Sequence, residues 1–185
     1  MRYERVLLIL DAWKKTFSIK TLGGGYIRHF ILFTGSGVAI VETSHVDNIP
    51  PWRQEAMHET FSEGDRLSHL FWGPILSTLY NHLFELRRQG EGALRVFQSG
   101  ELSLEEALEV LQELRKRTGI WSVNFREYIP HDLVELIEID PKKVRLVRVG
   151  GRREDYFFYL PRGRFNELVE KVRSILGDTK VRVRQ

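Results

Sequence analysis

Apolar residues in the first part of the chain fit two periods at once. Tyr3, Val6, Leu7, Leu10 and Trp13 fall at i, i+3, i+4, i+7 and i+10, which predicts one stripe of a helix over residues 2–15. The run Val6-Leu7-Leu8-Ile9-Leu10 inside it also reads as a strand. Thr16–Leu22 is strand-like up to Gly23-Gly24-Gly25. Tyr26–Phe33 and Val38–Glu42 are apolar and β-branched, and Thr34-Gly35-Ser36-Gly37 between them predicts a hairpin turn. Pro50-Pro51 ends this section, and Pro51 suits the first turn of a short helix over Trp52–Ser62.

A longer helical pattern follows an Asp65 N-cap, through Leu67, Leu70, Phe71, Ile75, Leu79, Leu83 and Leu86. Gly73-Pro74 should kink or split it, and Gly90 stops it. Ala93–Gln98 reads as a short strand. Ser103-Leu104-Glu105-Glu106 fits a capping box ahead of the stripe Leu104, Ala107, Leu108, Leu111 and Leu114, with Gly119 after it. Trp121, Val123 and Phe125 alternate with polar residues as in a half-buried strand, and Leu133–Ile139 is another. Asp140-Pro141-Lys142 is turn chemistry. Val144–Val149 and Tyr156–Leu160 flank Gly150-Gly151-Arg152-Arg153 as a second hairpin. Phe165, Leu168, Val169, Val172, Ile175 and Leu176 stripe a final helix closed by Gly177, and Thr179–Arg184 alternates again.

These elements predict an α+β fold, with antiparallel hairpins packed against amphipathic helices. Two halves are expected, residues 1–92 and 93–185. Both read as helices flanking strands. An internal duplication is one explanation, and the generic likeness of any two hairpins is the other. With Ala93–Gln98 as a strand, the second half runs β-α-β-β-β-β-α. That order resembles the TATA-binding-protein fold in topology alone, and nothing functional is carried over from it.

Charge changes the picture. The 185 residues carry 28 Lys/Arg and 25 Asp/Glu, a net of +3, but the charge is split along the chain. Residues 141–185 hold 13 Lys/Arg and 5 Asp/Glu, net +8, while residues 1–140 hold 15 and 20, net −5. Such a basic segment is a candidate footprint for an anionic partner. Arg outnumbers Lys 20 to 8, which suits bidentate phosphate contacts and surface ion-pair networks alike. The expected phosphate contacts are Lys142, Lys143, Arg145, Arg148, Arg152, Arg153, Arg162, Arg164, Lys180, Arg182 and Arg184. Tyr156-Phe157-Phe158-Tyr159 adds aromatics, two to each face of a strand, and one pair can stack on bases. The opposing explanation is a solvated basic face that blocks edge-to-edge association, with the aromatics in a core.

Other chemistry is thin. The chain has no Cys, so it makes no disulfide and no thiolate metal site. That absence, with only two Met, hints at a thermophile. No apolar run reaches the length of a membrane span, and a soluble cytoplasmic protein is expected. His58, Glu59, His69 and His82 do not show the spacing that sets two ligands one helical turn apart, so no metal site is expected. Gly23-Gly24-Gly25 and Gly35-Ser36-Gly37 lack the pattern of phosphate loops, and no Gly-x-Ser-x-Gly elbow occurs. No cofactor and no catalytic residue is assigned. The favoured expectation is a nucleic-acid-binding protein. The alternative is a protein–protein interaction module or homodimer, in which the acidic and basic parts of the chain face each other. An enzyme with a site at the junction of the halves is the third class.

Overall fold

Val6–Thr16 is a strand, β1, and not a helix. Its neighbours explain the ambiguity of the pattern. Leu8, Leu10 and Ala12 enter one apolar cluster, while Val6 and Ile9 enter a second. A strand covered on both faces needs no polar alternation, so its apolar run also satisfies a helical template.

The computed structural model describes residues 4–17, 25–47, 94–96, 102–109, 111, 122–160 and 163–184. The strands are β1, β2 (Gly25–Thr34), β3 (Gly37–Asp47), β4 (Leu94–Val96), β5 (Val123–Pro130), β6 (Val134–Asp140), β7 (Lys143–Arg148), β8 (Arg153–Phe157) and β9 (Val181–Val183). They form one mixed sheet in the order β5-β3-β2-β1-β8-β7-β6-β9, with β4 also paired to β1. β6 and β9 are parallel, and every other pairing is antiparallel.

This overturns the expected α+β fold of hairpins backed by amphipathic helices. The described residues are mostly one large sheet with two short helices, α1 (residues 104–109) and α2 (Arg164–Leu176). The TATA-binding-protein order fails with it, because β5 pairs with β3 and β4 with β1. Strand pairing depends on partners far apart in the chain, which local periodicity does not register. The expected helices at 52–62 and 65–89, and the boundary at 92–93, lie outside the described residues.

Several local expectations are met. Ser103 N donates to Glu106 Oε2 at 2.7 Å and Glu106 N to Ser103 Oγ at 3.2 Å, so the capping box forms reciprocally. α2 buries Leu168, Val169, Val172 and Leu176 and ends at Gly177. Gly150 and Gly151 have φ of 92° and 84°, left-handed backbone that suits glycine in the β7–β8 turn. Asp140 Oδ1 accepts from the N–H of Lys142 and Lys143, which folds the β6–β7 turn.

The sheet is strongly curled. β5 and β7 stand five places apart in the strand order, which on a flat sheet is roughly 24 Å. Yet Arg148 on β7 donates to Glu127 on β5 at 2.5 and 2.6 Å. Three residues of 3-10 helix, His131–Leu133, join β5 directly to β6. Inside the curl, α2 shares one apolar cluster with Leu8 and Leu10 of β1, Ile31 and Phe33 of β2, and Ile137 and Ile139 of β6. Outside it, Leu102, Leu104, Ala107 and Leu111 share a second apolar cluster with β1, β2, β3 and β5. Among the described residues no helix is long and apolar enough to cross a membrane.

Candidate nucleic-acid interface

Register builds a row of alternating charge across four strands. Arg145 on β7 lies opposite Asp155 on β8 and Glu138 on β6, and Glu138 lies beside Arg182 on β9. Ile137, Ile139, Val144, Leu146, Tyr156 and Val181 all enter the inner cluster. The period of two therefore sends the charged row to the outer face. Arg145 donates to both oxygens of Asp155, Nε to Oδ1 at 2.6 Å and Nη2 to Oδ2 at 2.9 Å. Its Nη1 also lies 3.5 Å from Glu138 Oε2.

Glu138 is 7% exposed and gathers three guanidiniums. Arg184 Nη2 donates to its Oε1 at 2.6 Å, and Arg182 Nη1 stands 3.5 Å from the same oxygen. The carboxylate cancels one of those three charges and orients the remainder. The side chains of Arg182 and Arg184 stay 63% and 51% exposed. Lys143 joins the same face, 3.6 Å from Asp155 and 4.0 Å from Asp140. Hydrogen bonds from Arg145 hold the Asp155 carboxyl below its ordinary pKa, and the same bonds hold Arg145 firmly protonated.

The structure thus brings together Lys143, Arg145, Arg182 and Arg184. It does not bring the other expected contacts to this cluster. Arg148 points the opposite way, to Glu127 and Glu154. Arg152 also pairs with Glu154, at 3.3 Å, and Arg164 with Glu167 at 2.7 Å. Lys180 donates to the backbone oxygen of His131. Lys142 is exposed in the β6–β7 turn, Arg153 is exposed as the first residue of β8, on the outer side with Asp155 but outside the row of ion pairs, and Arg162 lies outside the described residues. The uneven charge along the sequence is therefore met partly within one chain. Glu127, Glu138 and Asp140 come from the acidic portion and pair with Lys143, Arg145, Arg148, Arg182 and Arg184 of the basic one.

The four consecutive aromatics divide as strand alternation requires. Tyr156 and Phe158 are fully buried in the inner cluster. Phe157 faces outward, half-buried, opposite Lys143, and Tyr159 is 36% exposed. Phe157 meets Tyr26 edge to face, with ring centres 6.1 Å apart.

A second charged cluster lines the inside of the curl, and of its members only Arg148 and Arg152 were expected from the sequence, as phosphate contacts. Glu154 accepts from Lys14 Nζ at 2.5 Å and also from Arg148. Burial alone would raise its pKa, but the hydrogen bonds and charges of Lys14 and Arg148 outweigh burial and hold it at about 2. His29 is 1% exposed, with Nδ1 2.9 Å from Ile27 O and Nε2 3.2 Å from Glu42 Oε2. A carbonyl only accepts, so Nδ1 carries the proton. Burial, aided by the charge of Lys14, keeps the ring's pKa below its ordinary value. Arg126 pairs with Glu42 as well. These partners lie 13 to 140 residues apart, so no local spacing signals them. Glu138 was also missed. The one available signal was a carboxylate alternating with Ile137 and Ile139 in a strand-like run.

Comparison with known proteins adds no further constraint: no protein-family model matches the chain, and no curated protein or solved structure matches it.

Proposed function

We propose that this chain binds nucleic acid through the outer face of β7, β6 and β9. The observation that carries the reading is the convergence of Arg145, Arg182 and Arg184 on the single carboxylate of Glu138, with two of the three guanidiniums at least half exposed. A pre-oriented guanidinium loses less side-chain freedom on meeting a phosphate, and its fork matches phosphate geometry. Such contacts position a backbone and do not select a sequence. The interface is smaller than the full basic segment, because much of that segment is engaged by its own carboxylates. The reading places the protein in the cytoplasm, in keeping with a chain free of Cys.

The test is fluorescence anisotropy of labelled single- and double-stranded oligonucleotides. Three or four phosphate contacts predict a weakening of about 20- to 150-fold between 50 and 200 mM salt. R182Q combined with R184Q, which removes both exposed cations without adding a carboxylate beside Glu138, should abolish binding and leave the circular dichroism spectrum intact. Arg145 is the poorer probe, because its reversal would set a third carboxylate against Glu138 and Asp155. Absence of binding by the wild type at 50 mM salt would overturn the reading.

A protein partner, including a second copy of the chain, is the second reading. It is favoured by Leu133 and Val149, 49% and 59% exposed, which adjoin through the bond from Val149 N to Leu133 O. Concentration-dependent mass without nucleic-acid binding would select it.

A further inference from the structure

We infer that the nucleic acid this face takes is single-stranded, with Phe157 and Tyr159 as the platform on which its bases stack; the inference rests on the nucleic-acid reading above. Phe157 leaves β8 on the outer side, half-buried, and Tyr159 follows two residues on, beyond the end of the strand and 36% exposed, while their neighbours Tyr156 and Phe158 are fully buried. Phe157 lies directly across from Lys143, and Asp155, two residues back on the same strand, lies across from Arg145. The aromatic row and the guanidinium row are therefore about 7 Å apart along the strands. One strand of nucleic acid can place a base on the first row and a phosphate on the second. In a duplex the base faces are stacked on each other, so Phe157 and Tyr159 would have nothing to stack on without unpairing it. A purely duplex-binding surface has no use for two outward aromatics beside its cations, whereas single-strand binders combine a basic track with such rings. The edge-to-face contact with Tyr26 orients the Phe157 ring in advance.

The experiment measures anisotropy of a labelled 12-nucleotide single strand, as DNA and as RNA, and of the corresponding duplexes, at 50 mM salt. The wild type should prefer the single strand by at least tenfold. Y159S and F157L should each weaken single-strand binding about tenfold, leave the salt slope unchanged and leave duplex binding unaffected, while Y159F retains wild-type affinity. Tyr159 is exposed, so Y159S tests the idea even if F157L fails to fold. Equal affinity for both forms, with Y159S indistinguishable from wild type, would overturn the single-strand inference and leave the phosphate-binding face standing. No binding to any of the four probes would overturn both.

Discussion

Arg148 of β7 gives both terminal guanidinium nitrogens to the carboxylate of Glu127 on β5, closing the inside of the sheet between strands five places apart. The same guanidinium reaches Glu154 on β8. Hydrogen bonding to Arg148 holds the Glu127 carboxyl below its ordinary pKa. Removing the cation would strip Glu127 of its bidentate partner and leave the buried Glu154 to Lys14 and Arg152 alone. R148M should therefore cost on the order of 3 kcal/mol in urea unfolding. Adding E127Q should recover part of that loss, because it removes one of the stranded charges.

Acid should weaken the fold in two steps. His29 has a lowered pKa in the folded state, so its contribution is complete above the unfolded value near 6.5 and declines as pH falls below it. The charges around it are Glu42 on β3, Arg126 on β5 and Lys14 on β1, with the Tyr156 ring 5.5 Å away. Glu154 comes next. Its contribution is complete above 4.5 and is lost as pH falls toward about 2, a difference on the order of 3 kcal/mol. Stability measured against pH for wild type, H29Q and E154Q separates the stages. H29Q should flatten the curve just below pH 6.5, and E154Q should flatten it between 4.5 and about 2.

The β2–β3 hairpin should discriminate sharply between its two glycines. A Cβ on Gly37 would stand 2.5 Å from Tyr128 Cζ and 2.7 Å from Ile129 O, whereas one on Gly35 would meet nothing within 4 Å. Tyr128 cannot simply swing aside, because its hydroxyl bonds Ser36 Oγ at 2.6 Å and Thr34 Oγ1 at 3.2 Å. G37A should destabilise by about 1–3 kcal/mol, and G35A by well under 1 kcal/mol, in thermal or urea unfolding.

Local interactions decided what was legible in the chain. The capping box at Ser103, the amphipathic stripe of α2, the Asp140 turn and the two glycine-bearing hairpins each rest on residues a few positions apart, and each forms as the sequence implies. Alternation also divided Tyr156 and Phe158 from Phe157 and Tyr159, since the period of two belongs to the backbone itself. The strand at Val6–Thr16 was misread because burial on both faces erases that period.

The tertiary structure alone decided the rest. Composition and charge order established a basic segment in this protein, but pairing register determined which cations share a face. It set Arg182 beside Glu138 across 44 residues of chain and turned Arg148 inward to Glu127 and Glu154. Coulomb and hydrogen-bond energies depend on separation in space, and the curl of the sheet fixes that separation for residues as distant as Lys14 and Glu154.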